Sequence, residues 1–144
     1  MRIAIFLIAT LALFPGCGGP TPPQMAKTAI SGTVTFKGEP LSGASLTFTP
    51  TGDTMGFVGT GRTDKNGVYV ITDIRGAKGL AVGEFKVTIS RRLLNGKELD
   101  PNDNTPEMDS PATESLPPRY SNPQSTELRA TVTKDANPID FHLK

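Results

Sequence analysis

Residues 30–50 read ISGTVTFKGEPLSGASLTFTP, and the order of apolar and polar side chains in this stretch decides the fold class. Ile30, Val34 and Phe36 fall on one side of an extended chain, and Ser31, Thr33 and Thr35 on the other. Successive side chains of a pleated chain point to opposite faces, so a repeat of two marks a half-buried strand. The KGEP interruption at 37–40 supplies a turn, and the alternation resumes with Ala44, Leu46 and Phe48 on one face.

The same reading extends along the chain. Residues 57–63 form a weaker, glycine-rich strand, and VYVIT at 68–72 is β-branched and aromatic throughout. EFKVTIS at 84–90 turns Phe85, Val87 and Ile89 inward, ELRATVT at 127–133 does so with Leu128, Ala130 and Val132, and IDFHL at 139–143 with Ile139, Phe141 and Leu143. Between the third and fourth runs lies DKNG at 64–67, whose Asn66-Gly67 pair accepts positive φ at little steric cost and signals a hairpin. Seven short strands with no helical stretch predict an all-β chain, a seven-stranded antiparallel β-sandwich.

Upstream of the strands the chain reads differently. Met1 and Arg2 form a short positive head and residues 3–14 (IAIFLIATLALF) an uncharged apolar run, the layout of a signal peptide. About a dozen helical residues rise only about 18 Å, short of a hydrocarbon core of about 30 Å. The run ends at LFPGCGGP, which holds the single cysteine, Cys17. This junction resembles the lipobox of bacterial lipoproteins: Gly16 matches, while Phe14 and Pro15 stand where leucine and alanine or serine are usual. The resemblance implies that Cys17 is diacylated and becomes the mature N-terminus. The alternatives are a buried free thiol, which the Pro/Gly context disfavours in a helix or central strand, and cleavage without lipid. Residues 17–28, rich in Gly and Pro, then form a tether, and 29–144 the domain. Two acyl chains hold a protein on a bilayer where one barely does.

Without Arg2 the chain has fourteen Lys and Arg against fourteen Asp and Glu. That balance contains no polybasic patch, which argues against nucleic-acid binding and against charge-driven attachment to anionic lipid. An acylated lone cysteine also leaves no disulfide, so stability rests on a packed core.

Three segments carry a family resemblance: ISGTVTFKGEPLSGASLTFTP, then GRTDKNGVYVI, then AVGEFKVTI. They resemble the G-x-V-x-x-x-G-x-P-L-x-G-A signature, the T-D-x-x-G-x-Y turn and the G-x-[YF]-x-V strand of carboxypeptidase-regulatory-like domains. The tail from Leu116 to Leu143 is similar to the closing section of small exported lipoproteins that carry such domains. The resemblance implies a transthyretin-like, Ig-like sandwich with Tyr69, Ile71, Phe85 and Val87 at its centre, acting as a non-catalytic module. A transthyretin-related hydrolase would need several histidines and a C-terminal Tyr-Arg-Gly-Ser, whereas this chain ends DFHLK.

The residues point to no cofactor and no catalysis. Alternation turns the one histidine, His142, outward, and no G-x-S-x-G is present. One His and one acylated Cys do not make a zinc site. Asp64 and Asn66 read as turn residues. The connection from Arg91 to Thr126 is long, polar and interrupted by proline, and Glu98, Asp100, Asp103, Glu107, Asp109 and Glu114 follow one another in it with no base between them. It reads as a mobile loop. Asp100, Asn102 and Asn104 begin a calcium-loop spacing, but Thr105 and Pro111 exclude an EF-hand. Candidate binding residues are therefore Asp100, Asp103 and, as the one loop aromatic, Tyr120.

The expected protein is a lipid-anchored module of the bacterial envelope, structural or protein-binding, with carbohydrate- or calcium-dependent binding as the alternative. Its partners are the membrane, through the anchor, and an envelope protein. Gly18 stands where an aspartate would retain a lipoprotein at the inner membrane, which favours the outer membrane.

Overall fold

Wherever one face of an alternating run could be covered, it forms a strand. The computed structural model describes residues 26–99, 111–135 and 138–144; the expected signal peptide, Cys17, most of the expected tether, Asp100 and Asp103 lie outside them. In chain order the strands are β1 (Lys27–Thr28), β2 (Ser31–Phe36), β3 (Glu39–Pro40), β4 (Ser45–Pro50), β5 (Gly59–Arg62), β6 (Val68–Val70) and β7 (Thr72–Asp73). There follow β8 (Leu80–Ala81), β9 (Gly83–Ser90), β10 (Arg92–Leu94), β11 (Lys97–Glu98), β12 (Thr113–Glu114), one helical turn α1 (Pro118–Ser121), β13 (Arg129–Val132) and β14 (Phe141–Leu143).

The chain is all-β. One antiparallel sheet runs β13-β9-β4-β5-β7, with Leu46 opposite Ile89 and Phe48 opposite Val87 along its central pair. Around β2 gather β14, β3 and β6. Both groups feed one core. The Phe48 ring lies 6.3 Å from Phe85 in its own sheet, and 6.3 Å from Tyr69 and 6.1 Å from Phe141 across the layer. Tyr69, Ile71, Phe85 and Val87 are all buried, as expected. The Tyr69 hydroxyl donates to the Ile139 carbonyl at 2.5 Å, so its burial leaves no polar atom unpaired. Burial, and then the nearby charge of Asp140, raise its pKa well above the usual phenol value.

Several expectations are corrected. Pairing is not wholly antiparallel: β14 lies parallel to β2, with Phe141 opposite Val34 and Leu143 opposite Phe36. The direction of a partner so distant in sequence is free, because a long connection can bring the chain back either way. The strands also exceed seven. VYVIT is not one strand: β6 pairs with β2, the chain turns inward at fully buried Ile71, and β7 pairs with β5 in the other sheet. The KGEP hairpin forms, since β3 pairs with β2, but DKNG does not join two strands of one sheet. Its turn closes locally (Gly67 N to Asp64 O, 2.9 Å; Asp64 N to Val68 O, 2.8 Å), after which β5 and β6 diverge into separate sheets.

The domain begins before residue 29. Lys27 and Thr28 pair with Ala81 and Leu80, buried Thr28 donates its hydroxyl to the Thr133 carbonyl at 2.8 Å, and Lys27 meets Asp73 at 2.5 Å. Finally, the described parts of the 91–126 connection fold. β10 pairs with both β11 and β12, and Leu116 joins the core. Its few apolar residues suffice because β10, one residue beyond β9, offers a ladder on both edges for the returning chain.

Candidate functional site

The inward residues of β4 and β9 leave Ser45, Thr47, Lys86, Thr88 and Ser90 on the opposite face. Register places them in rows across the sheet. Arg62, Ser45 and Ser90 are in line, as are Thr60, Thr47 and Thr88. Such a face is a carpet of hydroxyls, each able to donate and accept, flanked by a guanidinium.

Arg92 of β10, Leu99, Glu114 of β12 and residues of α1 border this face and leave an open-mouthed cleft of about 650 Å³. Ser45, Thr47, Thr88 and Ser90 form its floor, and Arg62, Arg92, Glu114, Ser121 and Asn122 its walls. Its size lies within the usual range for ligand sites, although its polar lining differs from the apolar pockets of drug-like ligands. A smaller cavity of about 330 Å³ adjoins it, sharing Gly43, Arg62 and Leu99 and adding Asp64, Lys65 and Glu98.

The walls are held by charge-assisted hydrogen bonds, which are shorter and stronger than neutral ones. Glu114 accepts from the Ser90 hydroxyl at 2.5 Å through one oxygen, and from the backbone N–H groups of Arg91 (3.1 Å) and Leu116 (2.8 Å) through the other. Arg62 donates to the Leu99 carbonyl and Arg92 to the Ala112 carbonyl, both at 2.7 Å. Ser42 donates to Glu98, closing the neighbouring wall. These bonds leave Thr47 and Thr88 in the floor as hydroxyls that a ligand can reach.

The residues singled out in the sequence are scattered. Cys17, Asp100 and Asp103 are outside the described residues. Tyr120 sits on α1 with its ring half-buried against the core; its hydroxyl accepts from the Lys144 N–H and donates to the Lys144 carbonyl, each at 3.0 Å. It therefore fastens the last residue to the body, while its neighbours Pro118 and Ser121 line the cleft. His142 is exposed, its Nδ1 2.9 Å from the Thr35 hydroxyl. The Asp64 carboxylate accepts from the N–H groups of Asn66 (2.8 Å) and Val68 (2.9 Å), which is a turn role. Among the described residues no group of three His, Cys, Asp or Glu is placed to hold a metal ion.

Sequence reasoning missed the cleft. The outward hydroxyls were legible in the alternation, but the wall that makes a floor of them was not. Its signal was slight: Ala112 and Leu116, two apolar residues in a polar stretch, both buried. The chain matches no protein-family model, no curated protein and no solved structure.

Proposed function

We propose that this protein is a lipid-anchored module of the bacterial envelope whose transthyretin-like β-sandwich binds a partner protein, without catalysis, through the polar cleft over β4 and β9. The observation that carries this reading is the cleft itself, a 650 Å³ space floored by hydroxyl rows and walled by Arg62, Arg92 and Glu114. Such a surface suits a polar, hydrogen-bonding segment, since the Thr47 and Thr88 hydroxyls of the floor would lose water without gaining a partner under an apolar one. The signal-like head, the Gly16-Cys17 junction and the Gly/Pro-rich residues after it support the anchor, and Gly18 favours the outer membrane over the inner.

The lining also suits a polyhydroxylated ligand, which keeps a carbohydrate partner as the second reading. Among the described residues its lining contains no aromatic ring, however, and rings are the usual platform for sugars. The calcium reading rests on Asp100 and Asp103 and has no support among the described residues.

The test places a photo-crosslinking residue at Thr47, in the floor, and at Val68, exposed on β6. Cells carrying the first should yield a discrete protein adduct that disappears when Thr88→Arg fills the cleft, and cells carrying the second should not. Adducts that ignore Thr88→Arg, or none, would overturn the protein-binding reading. A saccharide adduct at position 47 would transfer it to carbohydrate.

A further inference from the structure

The end of the domain that receives the tether also exposes large apolar side chains. Met55 is 77% exposed, Ile74 64% and Val82 43%. They project from three loops that meet there. Ile74 N donates to the Val58 carbonyl at 3.1 Å, Glu84 N to the Thr54 hydroxyl at 2.8 Å, and the Arg75 guanidinium stacks 3.8 Å from the Phe57 ring centroid. Scattered exposed apolar residues need no explanation, but several gathered at one tip do.

The place where the upstream chain joins is held firmly against this tip. Lys27 pairs with Ala81, next to Val82, and its ammonium meets Asp73, next to Ile74. Ten residues lead from Cys17 to Lys27, a span of at most about 35 Å fully extended. A tether of that length gives whatever surface holds Cys17 a high effective concentration at the tip, and the pairing of β1 prevents free swivelling about the junction.

We infer that this tip, Met55, Ile74 and Val82 with Phe57, rests in the interfacial layer of the bilayer, so that the cleft faces away from the membrane. The inference builds on the lipid-anchor reading. Apolar side chains enter the boundary between headgroups and acyl chains, and stacked Arg75 keeps its charge at headgroup level. Direction follows from the fold: β5 starts at the tip with Gly59, beside Leu80, and ends at Arg62 in the cleft wall.

The acylated full chain is reconstituted in vesicles of phosphatidylethanolamine and phosphatidylglycerol containing a shallow spin-labelled lipid. A fluorophore is attached through Ile74→Cys or, at the far turn, Lys65→Cys; both positions are exposed, and acylated Cys17 does not react. Vesicle-bound protein should be quenched severalfold more at 74 than at 65. Equal quenching on protein that still floats with the vesicles would overturn the docking and leave the anchor intact. Failure to float, with blank fatty-acid labelling, would overturn the anchor and the docking with it. Position 74 shielded from an impermeant thiol reagent in native envelopes, yet unquenched in vesicles, would assign the tip to a protein and overturn the lipid reading.

Discussion

Two glycines in turns differ in what a side chain would meet. Gly67 has φ +74°, and a Cβ there would fall 2.6 Å from the Val34 carbonyl oxygen and 3.2 Å from the Leu41 N. Gly38, with φ +90°, has nothing within 4 Å. Gly67→Val should therefore lower stability by about 2–4 kcal/mol, from both strain and backbone clash, whereas Gly38→Ala should cost only about 1 kcal/mol of left-handed strain. Denaturant midpoints of the two variants check the contrast; equal losses would remove the packing part of the argument. Asp73 makes a second residue-scale prediction. The hydrogen bond from Lys27, with further bonds from the Ala77 and Arg75 N–H groups, outweighs desolvation and lowers its pKa from 3.8 to about 2. A lowered native pKa means that the unfolded chain takes the proton first. The contribution is then complete above pH 3.8 and fades as pH falls towards 2. Melting temperatures taken down through that window should drop more steeply in the parent than in Asp73→Asn, which is less stable at neutral pH but has no carboxyl there to protonate.

At the scale of elements, the excursion between β9 and β13 departs furthest from the expectation of one mobile loop. Glu114 ties it to the end of β9 through Ser90 and Arg91, and buried Leu116 plugs it into the core. Leu116→Ala should cost about 2–4 kcal/mol, the usual penalty for a buried leucine truncated to leave a cavity. Removal of residues 95–115 should also destabilise the domain, because Ala112 and Glu114 go with it; a mobile loop would be lost with little change. Thermal melts of both variants give the answer, and an unaltered melt for either would return the segment to the status of a loop. The excursion was illegible for a physical reason. Two-residue strands such as β11 and β12 carry no period, and their pairing depends on the ladder that β10 offers. Residues 68–72 teach a related lesson: β-branched composition predicted strand correctly, but not that the backbone would change sheets at Ile71.

For the whole molecule, the arrangement has two ends. The end that Lys27 joins exposes Met55, Ile74 and Val82, and the cleft lies towards the far ends of β5 and β9. Cys17→Ser should abolish fatty-acid labelling and membrane retention while leaving the melting temperature of the domain unchanged, since the described core uses no residue before Lys27. Retention equal to the parent's in detergent partitioning would refute the anchor. A fall in melting temperature would show instead that the upstream segment packs on the domain.

The sequence by itself determined the all-β class and most of the buried face. Ile30, Val34, Leu46, Phe48, Phe85, Val87 and Ile89 had only to alternate with polar neighbours, and alternation is a local property that any covered face will use. It also carried the apolar head and lone Cys17, on which the proposed anchor rests. Only the tertiary structure decided that β14 runs parallel to β2, that VYVIT serves two sheets, and that a polar excursion roofs the hydroxyl face of β4 and β9. Each of those features joins residues far apart in the chain. Their geometry is set by which surfaces remain uncovered once the core has formed, and no run of neighbouring side chains records that.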